Sequence, residues 1–578
     1  MLAAIVFFVI LCSGCAFISA FFKCRFEQAI VVVLFMLIVF LYFWGLFDLL
    51  PIGTFVTTIV AGAALCATTV RTARHHEFRK FSRLFFTPGF LVFTFAFLVI
   101  LFSNYGRLVT NRDDFSHWAN TVKRMSILDR FATSPDSFAQ FPNYPPAMSL
   151  VQYYLQSIHK AFGNEFSEWL LYIPFELSAV MLLLPSLSCL YWKREAIFSM
   201  VILLLCTCCI PGILYSDVYR TLMIDPIVGL VAGYAFSILL CTRDRSILDN
   251  TGLVFSCVVL TLLKLPGIYF ATCITIAVAL DTVAKAKKNS TRFLSEAEMT
   301  KPIPTVKRNQ STEHNVKKQI VRRYATAVNC GVATLAAYIS WELWLNNEGV
   351  QRRFEEPIDL SILWRIFTGE NTGYRSSVLM TFIKNLFISK QKIGTLSFFN
   401  IELSWFTLFL GLVAIATVVS IFLLRKHEHS PKQLYIILGV LFSTCVLYTF
   451  GLAICYLFKF NQSEAAQLAS FNRYMNIPLM MILTALYRPI ARFVCDRGKT
   501  GLRIGVALIL AMSLVAPYKE LASFVLRRSV TYSQEVRAPF TAITMDIPER
   551  IQDQNAKICI VTDGNRDYCI QLLNFCMA

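Results

Sequence analysis

The amino-acid sequence predicts an all-α polytopic membrane protein, and three observations lead to that fold class. The 578 residues are 56% hydrophobic and 16% charged, with a mean hydropathy of +0.58, which lies outside the range of soluble domains. Apolar stretches near the roughly 20-residue length that crosses a bilayer recur along the whole chain. Lys and Arg cluster in particular segments between these stretches, as membrane insertion favours.

About fourteen membrane segments are predicted from apolar runs bounded by charged or polar residues. The first run has no basic stretch before it, so we expect it to remain as a helix instead of being removed as a signal peptide. Twelve segments are single runs: Leu2–Phe22, Ala29–Leu50, Thr54–Val70, Pro88–Ser103, Trp169–Tyr191, Ala196–Tyr215, Leu222–Cys241, Ala325–Leu345, Leu403–Leu424, Leu434–Phe458, Tyr474–Tyr487 and Ile504–Ala516. The other two come from one longer stretch.

That stretch, Gly252–Leu280, contains 29 largely apolar residues interrupted by Lys264, Leu265 and Pro266. It is compatible with one long kinked helix or with two short helices in a hairpin. The following segment, 281–323, contains eleven Lys and Arg residues, and the earlier segment 71–83 contains five. Both are predicted to be cytoplasmic. A hairpin lets them share a side and leaves the N-terminus outside, so the sequence favours the hairpin.

The predicted segments divide the chain into membrane and soluble parts. In order, these are N-terminal membrane helices (1–103), an extracytoplasmic loop with interfacial helices (104–168), membrane helices (169–280), a basic cytoplasmic loop (281–323), a membrane helix (324–345), a second extracytoplasmic loop (346–402), membrane helices (403–516) and an extracytoplasmic C-terminal segment (517–578).

Two of the soluble parts carry specific structural expectations. The loop 281–323 is rich in Lys, Ser, Thr and Pro, which predicts a flexible tether whose charge touches anionic lipid. Residues 557–573 have strand-like composition on either side of Asp563 and Gly564, which predicts a β-hairpin. The C-terminal segment is therefore expected to be a small β or α/β unit.

The formal net charge of +18 is explained by membrane topology. Lys and Arg are about three times denser in the predicted cytoplasmic loops than in the outside segments. We therefore do not expect nucleic acid as a partner. The 18 cysteines are equally uninformative about metal sites, because most of them, such as Cys206, Cys208 and Cys209, lie inside apolar runs as small core residues.

An acidic pair, Asp113 and Asp114, stands near the start of the first long outside loop. A helix capped by Ser116 is predicted to follow, with apolar residues at helical spacing: Phe115, Trp118, Val122 and Met125. A carboxylate at the outer mouth of a helix bundle meets both water and lipid-borne substrates, and it can act there as a general base. The alternative is that the two carboxylates cap the helix or pair with Arg107, Arg112 or Lys123.

This arrangement resembles the membrane glycosyltransferases of the GT-C superfamily, in which an acidic pair, commonly Asp-Glu, begins the first long outside loop. Residues 113–118, Asp-Asp-Phe-Ser-His-Trp, look like an Asp-Glu-Phe-Ser-His-Trp pattern of uncharacterised bacterial members. Tyr144-Pro145-Pro146 is similar to a Tyr-Pro-Pro motif of several branches. The chain departs from the superfamily in having Asp at position 114 and three additional helices at its start. The resemblance implies that Asp113, beside Asp114, deprotonates an acceptor and that the donor is a polyprenyl-phosphate sugar.

Charged residues near the predicted outer mouth are candidates for contact with the donor phosphate. Lys264 and Asp225 lie within apolar stretches, where a charge is costly unless it lines a wet cavity or is paired. The alternative for Lys264 is snorkelling to the interface or pairing with Asp225. The resemblance implies that Arg473, next to Tyr474, binds the donor phosphate, although an arginine there also suits an interface anchor. Arg220, in a short outside turn, is a further candidate.

Substrate contacts are predicted for His117, Trp118 and Tyr144, together with Asp225 and Tyr474. An imidazole can bond to a sugar hydroxyl and an indole can stack on a sugar ring, although Trp is also common at membrane interfaces. Carboxylates in a wet site suit Mg²⁺ or Mn²⁺, which makes a divalent ion at Asp113 and Asp114 possible in principle, but no Asp-x-Asp or His cluster specifies one.

The predicted function is transfer of a sugar from a polyprenyl-phosphate donor to a glycan, lipid or protein acceptor, in cell-envelope polysaccharide assembly. The expected location is the inner or plasma membrane, with the active site on the extracytoplasmic side and membrane lipids as partners. Two alternatives stay open. A flippase or transporter for lipid-linked sugars would also use intramembrane charges, and an O-antigen ligase or polymerase-like enzyme would depend on a late outside loop.

Overall fold

The computed structural model of the chain describes most of its length. The described residues are 1–133, 139–191, 219–242, 244–299, 310–350, 358–370, 373–392, 402–425, 430–496, 500, 503, 505–507, 510, 518–550 and 566–577. The predicted segment Ala196–Tyr215, most of Ile504–Ala516 and the predicted turn at Asp563 and Gly564 lie outside the described residues.

Helices make up nearly all of the described structure. In the first half they are α1 (Leu2–Phe22), α2 (Phe26–Gly45), α3 (Leu50–Arg74), α4 (Phe78–Phe85), α5 (Pro88–Asn104), α6 (Ala119–Leu128), α7 (Ala147–Ala161), α8 (Tyr172–Leu183), α9 (Asp225–Cys241), α10 (Ile247–Leu263) and α11 (Leu265–Met299). A π-helical turn, Asp114–Trp118, precedes α6, and 3₁₀ turns at Glu168–Leu171 and Leu184–Cys189 flank α8.

The second half continues in the same way. Its helices are α12 (Gln310–Asn347), α13 (Leu360–Phe367), α14 (Tyr374–Phe387), α15 (Trp405–Arg425), α16 (Pro431–Phe458), α17 (Gln462–Ala466), α18 (Phe471–Asp496), α19 (Tyr518–Val525), α20 (Arg528–Arg550) and α21 (Arg566–Met577). Two short strands, β1 (Gln391–Lys392) and β2 (Glu402–Leu403), pair antiparallel with Gln391 opposite Leu403.

Eight described helical segments are long and apolar enough to cross a membrane: α1, α2, α3, Glu168–Cys189, the first part of α11, α15, α16 and α18. Helices α4 and α5, which meet at a 55° bend, make a ninth if they count as one broken span. Helices α9 and α10 are apolar but have 17 residues each. The all-α polytopic membrane class is therefore confirmed, whereas the described residues do not reach fourteen spans.

Local sequence explains several helix ends. Proline occupies the first turn of α3 and of α5, where its missing N–H is not needed. The Thr87 hydroxyl accepts a hydrogen bond from the Phe90 amide at 3.3 Å and caps α5. Ser246 and Asp249 form a reciprocal capping box at the start of α10. These caps fix where the chain enters the membrane bundle.

The ambiguous stretch 252–280 is a hairpin. Lys264 is extended (φ −163°, ψ 154°) and separates α10 from α11. The two helices run antiparallel, because Gly267 packs against the Leu260 carbonyl and the Cys257 thiol lies 3.7 Å from the Ala271 carbonyl. In each contacting pair the two residues are about equally far from Lys264 along the sequence, as in an antiparallel hairpin. The side chain of Lys264 therefore sits at the tip of a helical hairpin.

One end of the bundle, which we call the loop end, gathers the turn after α2, the loop after α5, the Lys264 tip and the start of α18. Arg130 of the loop pairs with Asp48, between α2 and α3, at 3.3 Å and with Glu348, just after α12, at 2.7 Å. The Trp344 indole donates to the Thr133 hydroxyl at 3.2 Å. The loop after α5 is thus fixed to several helices.

The opposite end, which we call the basic end, contains both lysine- and arginine-rich segments. The Arg25 guanidinium donates to the Ser188 carbonyl at 3.1 Å, and the neighbouring Cys189 thiol lies 3.2 Å from the Cys495 thiol. Arg492 donates to the Cys241 carbonyl at 3.0 Å, next to the start of α10. The two basic segments share one end of the molecule, as the hairpin predicted.

The described parts of 281–323 are helical, so the prediction of a flexible tether is wrong for them. Asp281 of α11 pairs with Arg323 of α12 at 2.9 Å and with Arg245 at 3.3 Å, and it accepts a hydrogen bond from Gln433 at 2.9 Å. All three charged side chains are at most 5% exposed. Buried charges need such partners, and this cluster holds three helices together.

The described C-terminal segment consists of helices α19, α20 and α21. The predicted β-hairpin is wrong for residues 566–573, which belong to α21; residues 557–565 lie outside the described part. Leu572 and Phe575, three positions apart on one helical face, are buried. A helix lets both side chains pack against the rest of the protein, so tertiary burial overrides the local strand preference.

Candidate functional site

The loop that carries the acidic pair begins with the π-helical turn Asp114–Trp118 and continues directly into α6. Single π turns occur often at functional sites. The Ser116 hydroxyl lies inside this turn and donates to the Gln140 side chain at 2.9 Å, so the prediction that Ser116 caps the helix is wrong. The predicted apolar face is confirmed, because its four residues are buried in protein: Phe115, Trp118, Val122 and Met125.

Four charged side chains from four parts of the chain form a row at the loop end. The Arg473 guanidinium donates through Nη1 to Asp113 Oδ2 at 2.7 Å, and its Nε lies 3.6 Å from Asp225 Oδ2. The Lys264 ammonium donates to Asp225 Oδ1 at 2.7 Å. We call this set, Asp113, Arg473, Asp225 and Lys264, the charge row. Its formal charges alternate in sign and cancel.

The two inner members of the charge row are buried, and the two outer members are partly exposed. The side chains of Asp225 and Lys264 are 1% and 8% exposed, that of Arg473 is 21% exposed and that of Asp113 is 43% exposed. Charges in the apolar bundle persist only when they are paired, which explains the tight Lys264 to Asp225 contact. The exposed end of the row is a carboxylate that solvent can reach.

Three members of the row are positioned by helix ends. Asp225 is the first residue of α9 and precedes Pro226, so its carboxylate lies at a helix N-terminus, which favours negative charge. Lys264 occupies the break between α10 and α11. Arg473 is in the first turn of α18, where its Nη2 also donates to the Tyr474 hydroxyl at 3.0 Å. Two helix starts and one helix break therefore bring Asp225, Arg473 and Lys264 together.

Asp114 has a different environment from its neighbour. Its side chain is fully buried, and its Oδ1 accepts a hydrogen bond from the Leu222 amide at 3.0 Å. This contact ties the acidic loop to the segment that leads into α9, which begins with Asp225. The sequence analysis assigned Asp113 and Asp114 to the same site. In the structure the Asp113 carboxylate is accessible, whereas the Asp114 carboxylate is buried.

Aromatic side chains surround the inner part of the charge row. Lys264 Nζ lies 5.3 Å from the Tyr474 ring centre and 5.9 Å from that of Tyr144, within the range of cation–π attraction. Trp118 and His117 pack on Tyr144, at ring-centre distances of 5.8 and 5.2 Å. Burial raises the pKa of the Tyr144 hydroxyl. The structure thus brings Tyr144, Tyr474, His117 and Trp118 next to the charge row.

His117 is a buried histidine with a free ring nitrogen. Its Nδ1 lies 3.5 Å from the Thr121 hydroxyl, and its Nε2 has no hydrogen-bond partner among the described residues. Burial, with a smaller contribution from the Lys264 charge, lowers the pKa of the imidazole from 6.5 to about 3. His117 lines a narrow pocket of about 10 Å³ with Trp118 and Tyr144, a size that holds a single water.

Two further predictions meet a different outcome. The Arg220 side chain is exposed, and its backbone carbonyl accepts from Arg107 at 2.6 Å, so the structure does not bring the guanidinium into the charge row. The two carboxylates proposed for Mg²⁺ or Mn²⁺ have separate partners, Arg473 for Asp113 and the Leu222 amide for Asp114. Among the described residues no group of three or more His, Cys, Asp or Glu side chains is placed to hold a metal, and a divalent ion at the acidic pair stays a prediction.

Sequence reasoning missed a buried cluster behind the loop. The Arg107 guanidinium lies 3.6 Å from Glu176 Oε1 of α8 and donates to the Tyr219 carbonyl at 2.9 Å. The Asn104 amide donates to Glu176 Oε2 at 2.8 Å. Glu176 is a carboxylate inside an apolar run, which is the signal that could have identified it. The cluster anchors the turn next to Leu222, the partner of Asp114.

The C-terminal helices brace the acidic loop from outside. Arg537 of α20 pairs with Glu168 at 3.0 Å and donates to the Val109 carbonyl at 2.8 Å. The Tyr568 hydroxyl of α21 donates to the Thr110 carbonyl at 3.0 Å, and its ring meets Phe115 edge to face. The Lys123 ammonium of α6 donates to the Phe575 carbonyl at 2.6 Å. These contacts restrain the backbone on both sides of Asp113.

Comparison with known proteins adds no relative. The chain matches no protein-family profile, and it matches no curated protein.

Proposed function

We propose that this chain is a membrane glycosyltransferase that transfers a sugar from a polyprenyl-phosphate donor to a glycan, lipid or protein acceptor on the extracytoplasmic side. The observation that supports it most directly is the 2.7 Å contact between Asp113 and Arg473. It sets a carboxylate that can serve as a general base beside a guanidinium that can bind phosphate. The resemblance of the acidic loop to the GT-C superfamily points to the same reaction.

The contact between Asp113 and Arg473 represents the state before the donor binds. A phosphate offers oxygens that suit the same guanidinium N–H groups. When the donor phosphate binds Arg473, it displaces the Asp113 carboxylate and leaves it free beside the reacting sugar. Binding of the donor thus activates the base, and an acceptor is not deprotonated before the donor is in place.

Lys264 supports this exchange through Asp225. Arg473 faces two carboxylates, at 2.7 Å and 3.6 Å, which together would cancel its attraction for a phosphate. Lys264 neutralises Asp225 at 2.7 Å, so Arg473 keeps a net attraction for an incoming anion. The alternating row therefore holds two cations in an apolar bundle while it keeps the outer one available. The stabilisation of the leaving phosphate is electrostatic.

The proposed transfer is a single displacement. Asp113 removes the proton from the acceptor hydroxyl, and the acceptor oxygen forms a bond to the anomeric carbon. The bond between that carbon and the phosphate oxygen breaks, and its electron pair leaves with the polyprenyl phosphate, whose charge Arg473 balances. Attack opposite the leaving group inverts the anomeric carbon.

The aromatic residues are proposed to contact the sugar. His117 Nε2 lacks a partner in the described structure and lies among aromatic rings, so a sugar hydroxyl would satisfy it. Trp118, Tyr144 and Tyr474 supply apolar faces for the ring carbons. The present pocket of about 10 Å³ holds a water and not a sugar, so sugar binding requires these side chains to separate.

The membrane setting completes the proposal. Because both basic segments lie at the basic end, we propose that this end is cytoplasmic and that the loop end lies outside. Polyprenyl chains occupy the bilayer, and the partly exposed outer members of the charge row suit a phosphate that enters from the membrane side. The C-terminal helices are proposed to hold the acidic loop in position.

A flippase for lipid-linked sugars is the second candidate, and one observation favours it. Lys264 and Asp225 form a buried ion pair at a helix break, which is a common arrangement in transporters. A flippase would use the same phosphate contact but would move the intact lipid. The two functions differ in whether the bond between sugar and phosphate breaks.

The test uses the purified full-length protein in liposomes that contain a polyprenyl-phosphate sugar with a radiolabelled hexose, together with a crude membrane extract as acceptor source. We expect labelled sugar to appear in the acceptor fraction with the wild type and not with Asp113→Asn. The matched control is Asp129→Asn, which removes another partly exposed carboxylate of the same loop, and it should transfer like the wild type. Undiminished transfer by Asp113→Asn contradicts the base assignment, and movement of intact labelled lipid between leaflets without transfer favours the flippase.

A further inference from the structure

A second polar cavity lies at the basic end, far from the charge row. It has a volume of about 100 Å³ and is formed by the last turns of α1 and α3 together with the short helix α4. The charged groups that line it are Lys23, Arg71, Lys80 and Glu77. Three cations thus face one carboxylate. We call this cavity the basic pocket.

The carboxylate in the basic pocket does not neutralise its cations. Glu77 pairs with Lys80 at 3.5 Å, an exposed contact within one helix turn, and such pairs are weak. The Arg71 guanidinium lies 4.5 Å from the centre of the Phe21 ring, and its Nε is buried without a hydrogen-bond partner in the described part of the chain. A buried N–H of this kind calls for an acceptor.

A buried hydroxyl lines the same cavity. Ser19 of α1 is fully buried, and its Oγ has no hydrogen-bond partner among the residues that the structure describes. The Cys24 sulfur lies close to this hydroxyl and is only a weak acceptor for it, and the Cys24 thiol donates to the Ile18 carbonyl at 3.8 Å. Cations at helix C-termini also complement the helix dipole, which accounts for Lys23 and Arg71 as charges. It does not account for a cavity with a buried hydroxyl and a buried guanidinium N–H.

Helix α4 places the basic pocket at the level of lipid headgroups. Its apolar residues Phe78, Phe81 and Phe85 share one side, and Arg79, Lys80 and Arg83 share the other. Phe85 is buried, whereas Phe78 is 66% exposed. A short helix with this division lies in the membrane interface, and α4 bends by 55° into the membrane helix α5. The pocket between α4 and the ends of α1 and α3 therefore opens toward headgroups.

We infer that the basic pocket binds the phosphate group of an anionic membrane lipid. A phosphodiester carries one negative charge and accepts hydrogen bonds but donates none, and it matches two donors without partners, Arg71 Nε and Ser19 Oγ. Lys23 and Lys80 add charge at the rim. The lipid acyl chains would lie along exposed apolar side chains near the end of α3, such as Leu65 and Val70. The cytoplasmic leaflet, where basic segments face, is rich in anionic lipids.

The experiment measures lipid binding to the purified full-length chain by native mass spectrometry. Detergent-solubilised protein is titrated with phosphatidylglycerol, with phosphatidylcholine and with inorganic phosphate. We expect one phosphatidylglycerol to bind in preference to phosphatidylcholine, because the latter carries no net charge. Arg71→Gln should weaken this binding at least about tenfold, since it removes a charge-assisted hydrogen bond. Ser19→Ala, which leaves every charge in place, should weaken it about fivefold.

The matched control is Arg83→Gln, which removes the same charge from α4 outside the basic pocket. It should bind phosphatidylglycerol like the wild type. Equal losses in Arg71→Gln and Arg83→Gln would assign the binding to general surface charge and overturn the site. Binding of inorganic phosphate with no preference for phosphatidylglycerol would overturn the lipid assignment. Unchanged thermal unfolding of Ser19→Ala shows that its loss of binding does not come from misfolding.

Discussion

The Lys264 ammonium lies 2.7 Å from Asp225 Oδ1, with both side chains less than a tenth exposed. Removal of one member of a buried ion pair leaves the other without compensation and typically costs about 3–5 kcal/mol. We predict that Lys264→Met lowers the free energy of unfolding by about 3 kcal/mol, at the lower end because Asp225 retains Arg473. The measurement is thermal or denaturant unfolding in detergent.

The double variant Lys264→Met, Asp225→Asn should recover much of that loss, because it removes both charges together. The control is Lys160→Met, whose partner Asp129 is a surface residue at 3.1 Å, and its cost should stay below about 1 kcal/mol. Additive losses in the double variant would contradict the pairing.

Substitution of the two carboxylates of the acidic pair should lower the free energy of unfolding by different amounts. Asp114 is buried and accepts from the Leu222 amide, so Asp114→Asn introduces amide hydrogens into a buried site and should cost about 1–3 kcal/mol. Asp113 is 43% exposed, so Asp113→Asn should cost less than about 1 kcal/mol. Equal effects of the two substitutions on the melting temperature would argue against their different environments.

We predict that protonation of His117 lowers the free energy of unfolding of the protein at acidic pH. Burial lowers the pKa of His117 from 6.5 to about 3, so the unfolded chain binds the proton more tightly. The contribution is fully present above pH 6.5 and is lost as the pH falls toward 3, at up to about 1.4 kcal/mol per pH unit. The melting temperature between pH 6.5 and 4.5 should therefore change less in His117→Gln than in the wild type.

Thr121→Val serves as the control for His117, because it alters the neighbouring hydroxyl (3.5 Å from Nδ1) and leaves the imidazole in place. It should keep the wild-type dependence on pH. Identical pH profiles for His117→Gln and the wild type would show that the imidazole is not buried in its neutral form.

We predict that the contacts of Arg537, in the C-terminal helix α20, are required to keep the acidic loop ordered. Arg537 is 4% exposed and binds both Glu168 and the Val109 carbonyl, so Arg537→Ala leaves Glu168 without its ion pair and should cost about 3 kcal/mol. Limited proteolysis should then cut the loop after α5 faster than in the wild type. The control is Arg528→Ala, an exposed site on the same helix, which should not change the cleavage rate. Cleavage of Arg537→Ala at the wild-type rate would contradict a role of Arg537 in ordering the loop.

Hydropathy predicted the helices better than it predicted their interactions. The predicted segment Leu2–Phe22 coincides with α1, and the hairpin at Lys264 followed from the charges on either side of it. Asp225 was named as a possible partner of Lys264 because both charges lie in apolar runs. The Arg473 to Asp113 contact joins residues 360 positions apart, and no local pattern encodes such a distance.

The errors have a common physical origin. The composition of residues 566–573 and of the described parts of 281–323 does not predict their helices, in which Leu572, Asp281 and Arg323 are buried. Glu176 was overlooked because one carboxylate in an apolar run did not interrupt the hydropathy pattern. The position of Arg220 in a short outside turn predicts contact with the donor phosphate, but its side chain is exposed to solvent. Sequence position alone does not determine which polar side chains tertiary packing brings together.

In the proposed mechanism, Asp113 acts as the base and Arg473 binds the donor phosphate. The most direct test measures donor affinity and the transfer rate separately in Asp113→Asn and Arg473→Gln, with a short-chain polyprenyl-phosphate hexose. We predict that Asp113→Asn loses about 10²–10⁴-fold in kcat while it binds the donor as tightly as the wild type or more tightly, because the carboxylate no longer competes for Arg473. Arg473→Gln should instead lose donor affinity. Undiminished transfer by Asp113→Asn, or equal loss of donor affinity in both variants, would contradict the account.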